Sequence, residues 1–161
     1  MRLTMTINGA ERTAEVDVRM LLVDALRDVL GVTGPKIGCL SGDCGACTIS
    51  LNGQIVKSCM RLAVSVDGAD IRTLEGLAED GQLSALQQAF WDNLSFQCGY
   101  CLSGMLFAAE DLLNRDQSPS EAEIRSAISG NLCRCTGYQA IVDAIKSVSV
   151  SLPQADTSSD A

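Results

Sequence analysis

Histidine is absent from the 161 residues. Its absence removes the commonest general base, the Ser-His and Cys-His nucleophilic pairs, and every zinc or Rieske-type site that needs an imidazole. Cations are scarce: 12 Lys and Arg stand against 20 Asp and Glu, a formal net charge of −8. Phosphate backbones are held by clustered Lys and Arg, so no nucleic-acid partner is expected. No apolar run nears the ~20 residues that a membrane span needs. The opening MRLTMTINGA alternates apolar and polar residues, whereas a secretory leader carries a continuous apolar stretch. The expected location is therefore the cytoplasm, a reducing compartment in which structural disulfides are rare.

Apolar residues and cysteine are plentiful. Hydrophobic residues make up 47% of the chain, enough for a packed core, and there are 8 cysteines. The length suits one large domain or two small ones.

The first half reads as β-rich. Leu3, Met5 and Ile7 alternate with polar residues, Asn8-Gly9 forms a turn, and Glu11 to Val18 alternates again, which is a hairpin pattern. Met20 to Leu30 changes to a helical period, with Leu21, Leu22, Ala25, Leu26, Val29 and Leu30 on one face and Gly31 as a stop. Residues 33–47 form a loop rich in glycine and cysteine. Thr48 to Leu51, Asn52-Gly53 and Gln54 to Cys59 predict a second hairpin, and Ala69 to Leu74 a last strand.

The second half reads as helical. Ser84 with Gln87, and Ser120 with Glu123, are capping-box patterns. Ser103 is the expected cap of a helix whose inner face is Met105, Leu106, Ala109, Leu112 and Leu113. Gly130 is the expected stop after the next one. Gln139 to Val148 predicts a fourth helix, with Ile141, Val142 and Ile145 apolar. The polar stretch Ser149 to Ala161 reads as a frayed tail. The expected organisation is α+β: a β-rich module over residues 1–78, a four-helix module over 79–150 with the link near 76–83, and a flexible tail over 151–161.

Each module owns one set of four cysteines. The first is Cys39, Cys44, Cys47 and Cys59, spaced C-x4-C-x2-C-x11-C. The second is Cys98, Cys101, Cys133 and Cys135, spaced C-x2-C-x31-C-x-C. C-x4-C-x2-C is the plant-type [2Fe-2S] ferredoxin spacing. Four thiolates, two ferric ions and two sulfides carry a formal charge of about −2. Backbone N–H groups must face the sulfurs to hold that charge, and glycines allow the positive φ angles and close approach this needs. The run GCLSGDCGAC supplies them. Cys59 lies past a hairpin that would return it to the loop.

A four-cysteine zinc site is the main competing account, but zinc ribbons pair two C-x2-C knuckles and neither set does so. A thioredoxin-like redox pair at Cys98 and Cys101 lacks the βαβ context and leaves two cysteines unexplained.

The runs GCLSGDCGACTISLNG, KSC, QCGYC and GNLCRCTGY, in this order, resemble the small iron–sulfur subunits of the xanthine oxidase family of molybdenum hydroxylases. The resemblance spans residues 3–148. It implies a β-grasp, plant-ferredoxin-like domain with one [2Fe-2S] cluster, then a four-helix domain with the other. It implies a large partner subunit carrying molybdenum on a molybdopterin, often the cytosine dinucleotide, and a medium subunit carrying FAD, in a heterotrimer or a dimer of heterotrimers. Electrons would pass from the molybdenum centre through the helical-domain cluster and the ferredoxin-like cluster to FAD. Gln97 matches the glutamine that hydrogen-bonds the pterin, and Cys135 the ligand whose sulfur approaches the pterin amino group. No substrate chemistry is expected on this chain. Where most relatives read Thr-Pro-Gly after CGYC, this chain reads Leu102-Ser103-Gly104. That version resembles the isoquinoline and aldehyde oxidoreductase branch, while CRCTGY resembles the carbon monoxide dehydrogenase and nicotine branch. A free-standing two-cluster ferredoxin is the alternative.

Overall fold

The computed structural model describes residues 1–78 and 80–151. β1 (Arg2–Ile7) and β2 (Ala10–Glu15) form the first hairpin. Asn8 (φ 52°) and Gly9 (φ 80°) both take left-handed backbone, as a two-residue hairpin turn requires. β3 (Thr48–Leu51) and β4 (Gln54–Lys57) repeat the device at Asn52 (φ 49°) and Gly53 (φ 80°).

The last strand, β5 (Asp70–Arg72), does not lie at the edge. The sheet order is β2-β1-β5-β3-β4. β5 runs parallel to β1, pairing Ile7 with Ile71, and antiparallel to β3, pairing Leu51 with Ile71. It joins the two hairpins into one mixed sheet.

The inward face of that sheet carries Leu3, Met5, Ile7, Ile49 and Ile71. Leu22 and Leu26 cover it, each fully buried; a buried side chain of this size contributes about 1.5–3 kcal/mol. They come from α1 (Leu22–Asp24) and a wider helical turn, Ala25–Val29, in which the Leu30 N–H bonds back to the Ala25 carbonyl at 3.0 Å. The extra residue in that turn corrects one sequence expectation. It rotates Val29 outward, to 42% exposure, and brings Leu30 into the core.

Four helices form the second half: α2 (Ala85–Asp92), α3 (Leu102–Arg115), α4 (Glu121–Ile128) and α5 (Gln139–Ser151). Both capping boxes are complete. Ser84 and Gln87 exchange bonds at the start of α2, and Ser120 and Glu123 at the start of α4. A separate core holds Phe90, Met105, Leu106, Phe107, Ala109, Ile124, Ile141 and Ile145.

Three expectations change. Ser103 does not cap α3; Cys101 holds that position and Ser103 lies buried inside the first turn. Gly130 takes no left-handed conformation, and α4 ends with Ser129 still in helical backbone. α5 runs on to Ser151, past Val148, into the stretch expected to be tail. The rest of that stretch lies outside the described residues. None of the described helices is long and apolar enough to cross a membrane.

Candidate metal centres

All 8 cysteines are free thiols. In the first set, Lys36 N–H bonds to the Ala46 carbonyl, closing the ends of a coiled loop. Within the loop Leu40 (φ 60°), Gly42 (φ 88°) and Gly45 (φ 76°) are left-handed. This turns successive N–H groups inward: those of Ser41 and Cys44 both donate to Cys39 Sγ at 3.4 Å. A Cβ on Gly38 would fall 2.8 Å from Cys44 Sγ, so only glycine lets the chain pass that sulfur.

Cys59 returns as the second hairpin predicts, in a short 3-10 turn after β4. The fully buried Ser58 ties it down, with N–H and hydroxyl both donating to the Cys47 carbonyl, at 3.2 and 2.7 Å. Cys47 and Cys59 are buried together with Val23, whereas Cys39 is exposed.

The environments set the thiol acidities. The Ser41 side chain first, then the N–H groups of Cys44 and Ser41, hold Cys39 down to about 6. Burial pushes Cys59 up to about 11, aided by its hydrogen bond with Cys47, and also raises Cys44.

In the second set, Cys98 precedes a turn at Gly99 (φ 73°), and the Tyr100 N–H donates to Cys98 Sγ at 3.5 Å. Cys101 sits at the N-terminus of α3, where the helix dipole favours negative charge. Cys133 and Cys135 lie between α4 and α5. The Cys133 N–H donates to Tyr138 Oη at 2.9 Å, and the Thr136 hydroxyl to Cys133 Sγ at 3.1 Å. The sulfurs of Cys98 and Cys135 lie 3.5 Å apart.

Burial raises Cys101 to about 12. Burial opposes ionisation of Cys133 as well, but the Thr136 hydroxyl and surrounding N–H groups outweigh it and lower that thiol. The Tyr100 N–H lowers Cys98, while the shared hydrogen bond with Cys98 raises Cys135. Gln97 Nε2 donates to the Cys135 carbonyl at 3.2 Å, which places Gln97 beside the last cysteine. Arg134 and Gln97 are both exposed.

The two loops also touch. Leu132 N–H donates to the Cys44 carbonyl at 2.9 Å, and Tyr100 Oη to the Ile37 carbonyl at 2.6 Å. Ser103 Oγ reaches the Thr48 carbonyl at 2.7 Å. Farther out, Arg72 on β5 pairs with Glu110 on α3 at 2.5 Å. The sequence marked the ligand-type residues but not these ties. The only local hint was the density of glycine around them.

Both sets of donors fit an anionic cluster: each has four thiols and an N–H group turned onto sulfur, and the first has at Gly38 a glycine where a side chain would collide with a sulfur. Among the described residues no three thiols or carboxylates converge on a single-ion site.

A two-domain chain with an iron–sulfur type of thiol loop in each domain is the class that this fold and these sites define. Two family models match it: "2Fe-2S iron-sulfur cluster binding domain" over residues 5–78 and "[2Fe-2S] binding domain" over residues 73–146. The caffeine dehydrogenase subunit gamma of Pseudomonas sp. (strain CBB1) is 51% identical, over 91% of this chain and 90% of that one. The nicotine 6-hydroxylase small subunit of Paenarthrobacter nicotinovorans is 49% identical, over 90% and 87%. Quinoline 2-oxidoreductase from Pseudomonas putida 86 contains a chain that superposes with a TM-score of 0.90 at 49% identity, covering 94% of this chain and 93% of that one. The chain belongs to the small iron–sulfur subunits of the xanthine oxidase family of dehydrogenases.

Proposed function

We propose that this chain is the electron-transfer subunit of a multi-subunit molybdenum hydroxylase. In this reading Cys39, Cys44, Cys47 and Cys59 hold one [2Fe-2S] cluster, and Cys98, Cys101, Cys133 and Cys135 hold the other. The clusters, when bound, each accept and release one electron at a time. The observation that carries the reading is the placement of the two thiol loops. Each presents a thiol at the surface, Cys39 on one and Cys98 and Cys135 on the other, and the loops bond directly to each other through Leu132 and Cys44. Electrons can then enter at one loop and leave at the other.

The residues of this chain do three things in that role. Thiolates anchor the irons. The N–H groups of Ser41, Cys44 and Tyr100 offset the negative charge on sulfur. Gln97 and Cys135, already joined by a hydrogen bond, present an amide and a thiolate to the molybdopterin of the large subunit as one contact face. FAD sits on a medium subunit in a heterotrimer, and the exposed apolar Leu40 and Met60 beside the first loop suit a protein neighbour there. Eight cysteines engaged as cluster ligands rather than in disulfides suit a cytoplasmic assembly. The relatives named for caffeine, nicotine and quinoline point the large subunit toward nitrogen heterocycles.

The test is the metal content of the complex that co-purifies with this chain. About four irons per chain with about one molybdenum is the expected result. Iron without molybdenum or a large partner would favour a free two-cluster ferredoxin, and zinc would overturn both.

A further inference from the structure

Asn131 lies two residues before Cys133 and is 3% exposed. Its amide nitrogen reaches the Ile128 carbonyl at a long 3.4 Å. Its Oδ1 is buried and has no N–H or O–H donor. A buried carbonyl oxygen without a donor is costly, so its surroundings need a physical account.

Two glycines supply one. An ideal Cβ on Gly45 would fall 2.0 Å from this oxygen, and one on Gly104 would fall 2.3 Å from it. In glycine that direction is occupied by an α-hydrogen. Both Cα–H groups therefore point at Oδ1, the arrangement of weak Cα–H···O hydrogen bonds. The glycines also meet each other: a Cβ on Gly104 would lie 2.4 Å from the Gly45 carbonyl oxygen. An oxygen is small enough, and negative enough, to sit between two Cα–H groups; a methyl group is neither.

The three residues come from three different segments. Gly45 follows Cys44 in the first thiol loop, Gly104 is three residues past Cys101 on α3, and Asn131 precedes Cys133. One buried side chain thus joins the backbone beside ligands of both proposed centres. Leu132, next in the chain, makes the direct bond to the Cys44 carbonyl.

We infer that Asn131 is a positioning residue for electron transfer between the two clusters, clasped between Gly45 and Gly104 so that the two cluster loops keep one separation and one relative orientation. The inference rests on the electron-transfer role proposed above. Tunnelling falls exponentially with distance, so a clasp that holds a single geometry holds a single rate, whereas a loosened one samples many slower arrangements.

The test uses the full complex, reduced with dithionite, wild type against Asn131→Ala. Two reduced clusters each carry one unpaired spin, and their interaction is read by EPR as line splitting and as enhanced spin relaxation. Asn131→Ala is expected to keep both cluster signals and about four irons per chain, with a weakened or smeared interaction. Cluster-to-cluster transfer should slow several-fold at unchanged substrate KM. An unchanged interaction with unchanged transfer overturns the inference. So does loss of the helical-domain cluster alone, which would make Asn131 part of one ligand loop only.

Gly104→Ala attacks the same contact from the other side: its methyl would press on Asn131 Oδ1 while every proposed ligand and the Asn131 side chain stay chemically unchanged. It must shift the interaction too, and a wild-type spectrum from it overturns the inference even if Asn131→Ala fails to assemble. A wild-type complex lacking two reducible cluster signals would instead overturn the electron-transfer reading itself.

Discussion

Ser103 on α3 donates its hydroxyl hydrogen to the Thr48 carbonyl on β3 at 2.7 Å, and both residues are buried. The bond crosses between the helical half and the sheet. Ser103→Ala removes the donor and leaves a buried carbonyl with one partner fewer. The expected cost is ~1–3 kcal/mol. At ~2–4 °C per kcal/mol for a chain of this size, thermal unfolding should report it directly. Iron content should not change, because the side-chain hydrogen bonds of Ser103 and Thr48 go to Gly45, Lys57 and each other and not to a proposed ligand sulfur.

Cys47 is buried beside Cys59 and its carbonyl is held by Ser58. Cys47→Ser is expected to lose the ferredoxin-like cluster and keep the helical one. Iron should fall from about four to about two per chain, with one EPR signal left. Two unchanged signals would show that Cys47 is not a ligand.

Gln97 is tied to the Cys135 carbonyl but is otherwise exposed. Gln97→Ala is expected to retain both clusters while slowing their reduction by substrate several-fold. Stopped-flow bleaching of the cluster absorbance measures that step apart from product release. Unaltered bleaching would remove Gln97 from the electron route.

The thiols should differ sharply in the iron-free chain. Cys39 is held down to about 6, by the Ser41 side chain first, while burial lifts Cys59 to about 11 and Cys101 to about 12. Thiolate is the reactive form. Iodoacetamide at pH 7 should therefore label Cys39 early, with labelling falling away as the pH drops through about 6. Cys59 and Cys101 stay protonated and unlabelled up to about pH 9, well below their raised values. Mass spectrometry resolves the sites. In the iron-loaded complex all three should be protected, as metal ligands are.

Much of the local structure was readable without coordinates. Asn8-Gly9 and Asn52-Gly53 became left-handed hairpin turns, and Ser84 with Gln87 and Ser120 with Glu123 became capping boxes. Each signal lies within four residues of the structure it specifies, so sequence spacing alone carries it. The cysteine runs are local only in part: Cys39, Cys44 and Cys47 share one loop, whereas Cys59 and the pair Cys133 and Cys135 come from later segments.

Ser103 marks the limit. A serine near a helix start reads as a cap, and only the packing of α3 against β3 turned it into a donor for Thr48. Val29 was placed outward by a widened turn that a 3.6-residue period does not anticipate.

Local residue spacing specified the two hairpins and the capped helices and marked the two cysteine quartets. Long-range packing placed β5 between β1 and β3, brought Cys59 back to its loop through Ser58, and set Asn131 against Gly45 and Gly104. These contacts join segments far apart in the chain. Their partners are chosen by which buried polar groups and glycine surfaces coincide once both cores have packed, and no local spacing encodes that coincidence.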